Sequence, residues 1–465
     1  MKKNTPFDTI AAVSTPPGEG GIGIVRLSGD RAFSILEEIF RPHRAALSES
    51  TPRSFSMRLG YIVYAGETID EVLVSYMKAP HTYTREDVAE INCHGGAVAV
   101  SEVLRLVLSK GARLAEPGEF TKRAFINGRI DLPQAEAVLD IVRSKTSRAL
   151  EAAVNQLQGR LSARISEVFN TLKSVLVLLE ANIDFPEEED VAEIGLEEIN
   201  KKISEAKDVL AECAASYDTG KIIRDGVTTV LSGKPNVGKS SILNAFLRFD
   251  RAIVTPIPGT TRDVIEEQLN IDGIPFILAD TAGITESDNL IEQEGVKRSR
   301  TYIERAQLVL MVFDGSEELD ERDMEIIRRA RTARSIPVIN KTDLAMKLDV
   351  EKLSSALADG TPFVYVSAKT GDGLKDLEKR MTEMVVGGIT GGESSFIITS
   401  ARHFTVLKRA LEELRHAEDT LRASPEPELL AYDIRSALDI LGEFTGEATN
   451  NEILDEIFNN FCIGK

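Results

Sequence analysis

The apolar positions fall into three textures along the chain. From Asp8 to about Lys110, short runs rich in β-branched residues ("TIAAV", "IGIVRLS", "EVLVSYM", "AEINCHG") alternate with turn clusters and two helical stretches. That alternation predicts a small α+β domain. From about Gly118 the period lengthens. Leu150, Val154, Leu157, Leu161, Ile165, Val168, Leu172, Val175 and Leu179 step by three or four residues, which predicts one long amphipathic helix ending near "DFPEEED". There Pro186 breaks the pattern, and Glu187 to Asp190 read as the acidic first turn of the next helix, favoured by its dipole. From about Ser216 to Val386 strand and helix patterns alternate, the signature of a doubly wound parallel sheet. Helical spacing returns after "GGITGGESS" with Phe404, Leu407, Leu411 and Leu414, and again after "SPEPE". Neither helical stripe can stay exposed, so the two regions should pack together as one discontinuous helical domain around the α/β insertion. The predicted fold is thus multidomain, α+β and α/β, with domains at 1–118, 119–215, 216–386 and 387–465.

Composition narrows the function. The 465 residues exceed one ordinary core, and 42% apolar with 28% charged residues is the balance of a soluble globular protein. No apolar run reaches membrane-spanning length and "MKKNTPFDTI" lacks the core of a secretory signal, so a cytoplasmic protein without membrane contact is expected. Cys93, Cys213 and Cys462 are scattered, without metal-ligand spacing. A formal charge of −19 excludes a surface that binds nucleic acid indiscriminately. Any RNA contact must be local or supplied through a partner.

"GEGGIG" matches GxGxxG through Gly18, Gly20 and Gly23. A dinucleotide site needs a strand before these glycines and a helix after them, whereas Pro16 and Pro17 precede and "IVRLSG" follows as a strand. It reads as a turn. "GKPNVGKS", Gly233 to Ser240, has the required context, lying between the strand "VTTVL" and the helix "SILNAFL". Backbone N–H groups of Asn236, Val237 and Gly238 can face phosphates, Lys239 can reach the outer ones, and Ser240 can ligate Mg2+ beside Ser241. Next come "TPIPGTTRD", which offers Thr255, Pro256, Ile257, Pro258, Gly259, Thr260 and, as second magnesium ligand, Thr261; then "DTAG", Asp280, Thr281, Ala282 and Gly283. "NKTD" supplies Asn340, Lys341 and Asp343, and "SAK" supplies Ser367, Ala368 and Lys369 around a base. A carboxylate at 343 accepts from the N1–H and amino group of guanine, which adenine lacks, so GTP is the expected substrate. Ile284 stands where Ras-type enzymes put a water-orienting glutamine. The carboxylate must come from elsewhere, and Glu286, Asp288, Glu292 and Glu294 are all candidates. Asn236 could help hold a monovalent cation in place of an arginine finger.

The ending "FCIGK" puts Cys462 near the last residue. Gly464 and Lys465 do not suit a prenylation box, which leaves a helix-end hydrophobe or a group delivered to an active site.

Together the phosphate loop, "GTTRD", "CIGK" and "RAFINGRIDLPQAEAVLD" resemble the MnmE (TrmE) family of tRNA-modifying GTPases over essentially the whole chain. The resemblance implies an N-terminal folate-binding domain that mediates homodimerisation, a split helical domain carrying the cysteine, and G domains that dimerise across nucleotide. It further implies an FAD-containing partner, MnmG, in a heterotetramer, and a tetrahydrofolate derivative (5-formyl or 5,10-methylene) as donor for C5 of the tRNA wobble uridine. Carried over by motif, K+ falls to Asn236, Thr255, Ile257 and Thr260. The catalytic glutamate falls to Glu292, the folate contacts to Arg26, Glu90, Arg129 and Lys465, and a part in the modification chemistry to Cys462. The other reading is a regulatory or assembly GTPase whose N-terminal module only binds a partner.

Overall fold

The structure is a computed structural model describing residues 8–43, 53–184, 195–249, 266–280, 306–330, 333–357, 361–386, 397–423, 426–447 and 450–465. Two compact units emerge: Met1–Val142 with Gln156–Ile203 and Glu412–Lys465, and Arg143–Asn155 with Ser204–Leu411. The multidomain α+β and α/β class is observed.

In the first unit the strands are β1 (Ile10–Val13), β2 (Gly20–Ser28), β3 (Phe40–Pro42), β4 (Ser56–Tyr64), β5 (Glu67–Met77), β6 (Val88–Gly95) and β7 (Arg113–Leu114). They form one sheet in the order β3-β4-β5-β6-β2-β1-β7, antiparallel except for β1 with β7. Val25, Leu27, Val74 and Ile91 are buried against helices Ala32–Ile39 and Ala97–Ser109. "GEGGIG" runs straight into β2, so no helix begins on its glycines.

The leucine stripe is broken. Helices Ser147–Leu157 and Arg160–Asp184 replace the single expected helix, because Gly159 takes φ +75°, a conformation that a helix cannot continue through. The side-chain amide of Gln134 donates to the carbonyl of Leu157 at 2.9 Å, satisfying an orphan group of the first helix end. Helix Arg160–Asp184 packs against Pro427–Thr445, on the far side of the insertion in sequence, and Arg435 pairs with Glu180 across them. The acidic run after Pro186 and the segment "GGITGGESS" lie outside the described residues.

Arg123, 1% exposed on helix Glu119–Ile126, is the largest fully buried side chain among the described residues. Its guanidinium bonds Glu119 at 2.9 Å, Asp8 at 3.0 Å and Glu86 at 3.1 Å. Burial would raise the Glu119 carboxyl above its ordinary 4.5, but hydrogen bonds from Arg113, the Glu116 N–H and Arg123 outweigh it and hold it lower. That stabilisation is present above the unfolded value and is lost as pH falls through the lower folded one. Removing one partner leaves carboxylates inside without their counter-charge, so Arg123→Met should cost about 3 kcal/mol in urea unfolding. A loss under about 0.5 kcal/mol would show the network to be dispensable.

In the second unit β8 (Val227–Ser232), β9 (Glu266–Ile271), β10 (Ile274–Asp280), β11 (Leu308–Asp314), β12 (Ser335–Asn340) and β13 (Val364–Tyr365) form the order β13-β12-β11-β8-β10-β9. All neighbours are parallel except the edge hairpin β9–β10. The doubly wound sheet is therefore mixed at one edge: only Asp272 and Gly273 separate these strands, too few for a crossover. β11 is buried over its whole length, as a central parallel strand covered on both faces is. No helix among the described residues is long and apolar enough to cross a membrane.

Candidate functional site

In the second unit the carboxyl ends of the parallel strands gather the nucleotide motifs, where ligands bind in such sheets. β8 leads into the loop Gly233–Gly238, and helix Lys239–Phe249 starts on its lysine. Asn236 has φ +67° and Gly238 φ +96°, the left-handed turns that line up successive N–H groups. Gly238 cannot be larger: a Cβ there would lie 2.2 Å from the Asn340 amide nitrogen. The Lys239 ammonium donates to the carbonyls of Gly233 and Lys234, both at 2.8 Å, and so folds back onto the loop. Ser240 and Ser241 are exposed on the first helical turn, while Val237 is buried beneath.

The base-side motifs join this loop through one amide. Asn340 donates to the Val237 carbonyl at 2.8 Å and accepts from the Ala368 N–H at 3.1 Å. Ser367 donates its hydroxyl proton to Asp343 at 2.8 Å, which orients an otherwise exposed carboxylate. Lys369 is exposed beside them. Asp280 ends β10 opposite Leu231 of β8. Thr255, Pro256, Ile257, Pro258, Gly259, Thr260 and Thr261 lie outside the described residues, as do Thr281, Ala282, Gly283 and Glu292.

Two residues here escaped the motif reading. Lys234, 8% exposed, sends its ammonium to Asp323 at 2.8 Å and Asp320 at 3.2 Å. Burial would lower its pKa, yet the two aspartates outweigh this and raise it. Asp314, 3% exposed at the end of β11, holds the Lys341 ammonium at 2.5 Å. The only sequence signal for either was an acidic run, "DGSEELDERD", which by itself reads as a solvated face.

The first unit assembles a second group. Arg26 on β2 faces Glu90 on β6 in register, with their side chains 2.8 Å apart. The Arg26 guanidinium lies 5.6 Å from the centre of the Tyr83 ring and 5.7 Å from that of Phe120, and Arg129 stacks on Tyr83 at 4.5 Å. The Arg129 Nε is buried with no hydrogen-bond partner. Onto this cluster comes the segment Phe461–Lys465. Ile463 bridges Pro117, Gly118 N–H donates to the Cys462 carbonyl at 3.4 Å, and Phe120 N–H donates to the Lys465 carbonyl at 3.2 Å. Gly464 takes φ +94°, and a Cβ there would meet the Val13 carbonyl at 2.2 Å. Its own carbonyl accepts from Ser14 at 3.2 Å and Arg26 at 3.4 Å. Cys462 is exposed with a free thiol, unlike the buried Cys93 and Cys213. The helix-end hydrophobe is therefore Phe461, 6% exposed, and not the cysteine. Tyr83 and Phe120 were invisible as site residues, since a lone aromatic carries no local signature.

A family model described as MnmE helical domain matches residues 132–462, and one described as GTP-binding protein TrmE N-terminus matches residues 9–129. The tRNA modification GTPase MnmE of Natranaerobius thermophilus is 49% identical over 460 residues, covering 98% of this chain and 99% of that protein. Proteins of the same description from Alkaliphilus metalliredigens and Geobacillus thermodenitrificans are 45% identical, with 98% and 99% of this chain and 99% and 100% of theirs covered.

Proposed function

Because the chain belongs to the MnmE family of tRNA modification GTPases, we propose that it adds a carboxymethylaminomethyl or aminomethyl group at C5 of the tRNA wobble uridine. It does so in the cytoplasm with an FAD-dependent protein of the MnmG type, and with GTP hydrolysis. The observation that carries this is the docking of the cysteine-bearing segment on the Arg26, Glu90 and Arg129 cluster. A GTPase that only switches has no use for such a cluster.

The residues present fit a folate. A stacked guanidinium with an unpaired buried Nε suits an aromatic, anionic ligand. When bound, the tetrahydrofolate derivative supplies the one-carbon unit. Arg26 and Arg129 bind it, Glu90 holds Arg26 in place, and the Gly464 and Lys465 backbone closes one side beside Cys462. In the G domain the exposed Ser240 hydroxyl suits Mg2+ together with Thr261. The left-handed turn at Asn236 leaves its side chain exposed, as required to share a K+ with Thr255, Ile257 and Thr260. Glu292 orients the attacking water. Met57, Leu59 and Leu73, exposed on adjacent strands β4 and β5, support homodimerisation through this domain.

Reconstitution tests the assignment. Purified chain, FAD partner, GTP, a labelled folate and unmodified tRNA should transfer label to the wobble base, and unlabelled tRNA would overturn the proposal. Replacing K+ by Na+ should slow GTP turnover at least about tenfold, and Glu292→Ala should abolish it with nucleotide still bound. Equal rates in Na+, or turnover by the alanine variant, would remove the cation and the glutamate from the mechanism.

A further inference from the structure

Asp314 belongs to none of the nucleotide motifs, yet it is buried in the middle of them. Strand β11 runs parallel to β12 with Asp314 beside Asn340, so the aspartate ends its strand level with the start of the base-reading loop. The backbone locks the two together. Gly315 N–H donates to the Asn340 carbonyl at 2.8 Å, and the Gly315 carbonyl accepts from Lys347 N–H at 2.8 Å and Leu348 N–H at 3.2 Å.

The Asp314 carboxylate is fully engaged. One oxygen accepts from the Ser316 N–H at 2.9 Å and the Ser316 hydroxyl at 2.7 Å, and the other holds the Lys341 ammonium at 2.5 Å. Lys341 itself sits at φ +64°, a conformation that costs a residue with a Cβ and persists only where its surroundings impose it. Its two neighbours in the motif are fixed from other directions, Asn340 by Val237 and Ala368, and Asp343 by Ser367. Asp314 supplies the third fixed point. With its ammonium tied back, Lys341 cannot reach toward phosphate, and its methylene stem remains as an apolar surface for the face of a purine.

We infer that Asp314 is a positioning residue for guanine recognition, acting through Lys341 to hold the loop in the register that lets Asp343 meet the purine edge. This rests on the assignment of Asp343 to that edge. The pair is more than a surface ion pair because its carboxylate is buried: Lys341 is partly exposed, but Asp314 cannot relax into water without opening the β11–β12 end.

The test reads base discrimination as well as affinity. Inosine triphosphate lacks the 2-amino group of guanine, so the ratio of its Kd to that of GTP measures how well the edge is read. Asp314→Asn should weaken GTP about tenfold and reduce that ratio severalfold, with the melting temperature of the nucleotide-free protein within a few degrees of the parent. Lys341→Met keeps the stem but leaves Asp314 unpaired, so adding Asp314→Asn to it should bind GTP at least as tightly as Lys341→Met alone. Additive losses in the double variant would overturn the proposal. So would an unchanged ratio in Asp314→Asn, or equal weakening of GTP, inosine triphosphate and ATP. An unmodified chain that fails to distinguish GTP from inosine triphosphate would instead remove the role of Asp343 itself.

Discussion

Asp343→Asn is expected to weaken GTP binding by about a thousandfold and to create binding of xanthosine triphosphate. Guanine offers two donors at its edge, and a carboxylate accepts both. When one acceptor becomes a donor, one charge-assisted hydrogen bond, worth about 1.5–3 kcal/mol, gives way to two donors facing each other, and the other loses its charge. Xanthine carries an oxygen where guanine carries the amino group, so the new amide N–H finds an acceptor there. Ser367 decides which way the asparagine faces. Its hydroxyl now donates to Asp343, and it can go on donating only to the amide oxygen, which turns the NH2 toward the nucleotide. Titration with fluorescent guanine and xanthine nucleotides measures the switch. Unchanged preference would remove Asp343 from the base site.

Cys462→Ser should keep folding, GTP binding and GTP hydrolysis while modified wobble nucleoside falls by about a hundredfold or more. The separation follows from how the segment is held. Its anchors are backbone groups, from Gly118 to the Cys462 carbonyl and from Phe120 to that of Lys465, with Ile463 bridging Pro117. The thiol is exposed and contributes nothing to that docking. Serine has the same shape, so what the exchange removes is chemistry. Mass spectrometry of tRNA from cells carrying only the serine variant gives the answer. Normal nucleoside levels would return Cys462 to a bystander, and lost GTP hydrolysis would mean the segment's role is structural.

What could be read from the chain was whatever is encoded over a short span. The phosphate loop was legible because strand, glycines, lysine and helix are contiguous, and so were β1, β2, β5 and β6, whose apolar runs are short and bounded by turns. Leu157 and Leu161 hid the helix break, since their spacing of four reads as one stripe whether or not Gly159 turns left-handed between them. The antiparallel edge was missed because β10 carries the apolar texture of its parallel neighbours, and the polar β9, EEQLNI, was absorbed into the alternation of strands and helices without weighing the two-residue turn between them. Lys234 and Asp314 could not be found at all: Lys234 meets Asp320 from 86 residues away, and nothing local marks either as buried. Arg123 shares that difficulty in part: Glu119 is four residues away on its own helix, but Asp8 and Glu86 come from distant segments.

The docking of Gly464 on Ser14, 450 residues apart, makes the site in the amino-terminal domain wait for the segment Phe461–Lys465. At about 5–20 residues per second of synthesis, its sheet, complete at Leu114, emerges from the ribosome roughly 17–70 seconds before the backbone segment that closes its pocket. Until then the Arg26 cluster is open on that side, while the domain's own sheet and helices have everything needed to fold. A nascent chain stalled before Phe461 therefore should carry a folded amino-terminal sheet and an unfinished pocket, so that this site is assembled only once Phe461–Lys465 has been made.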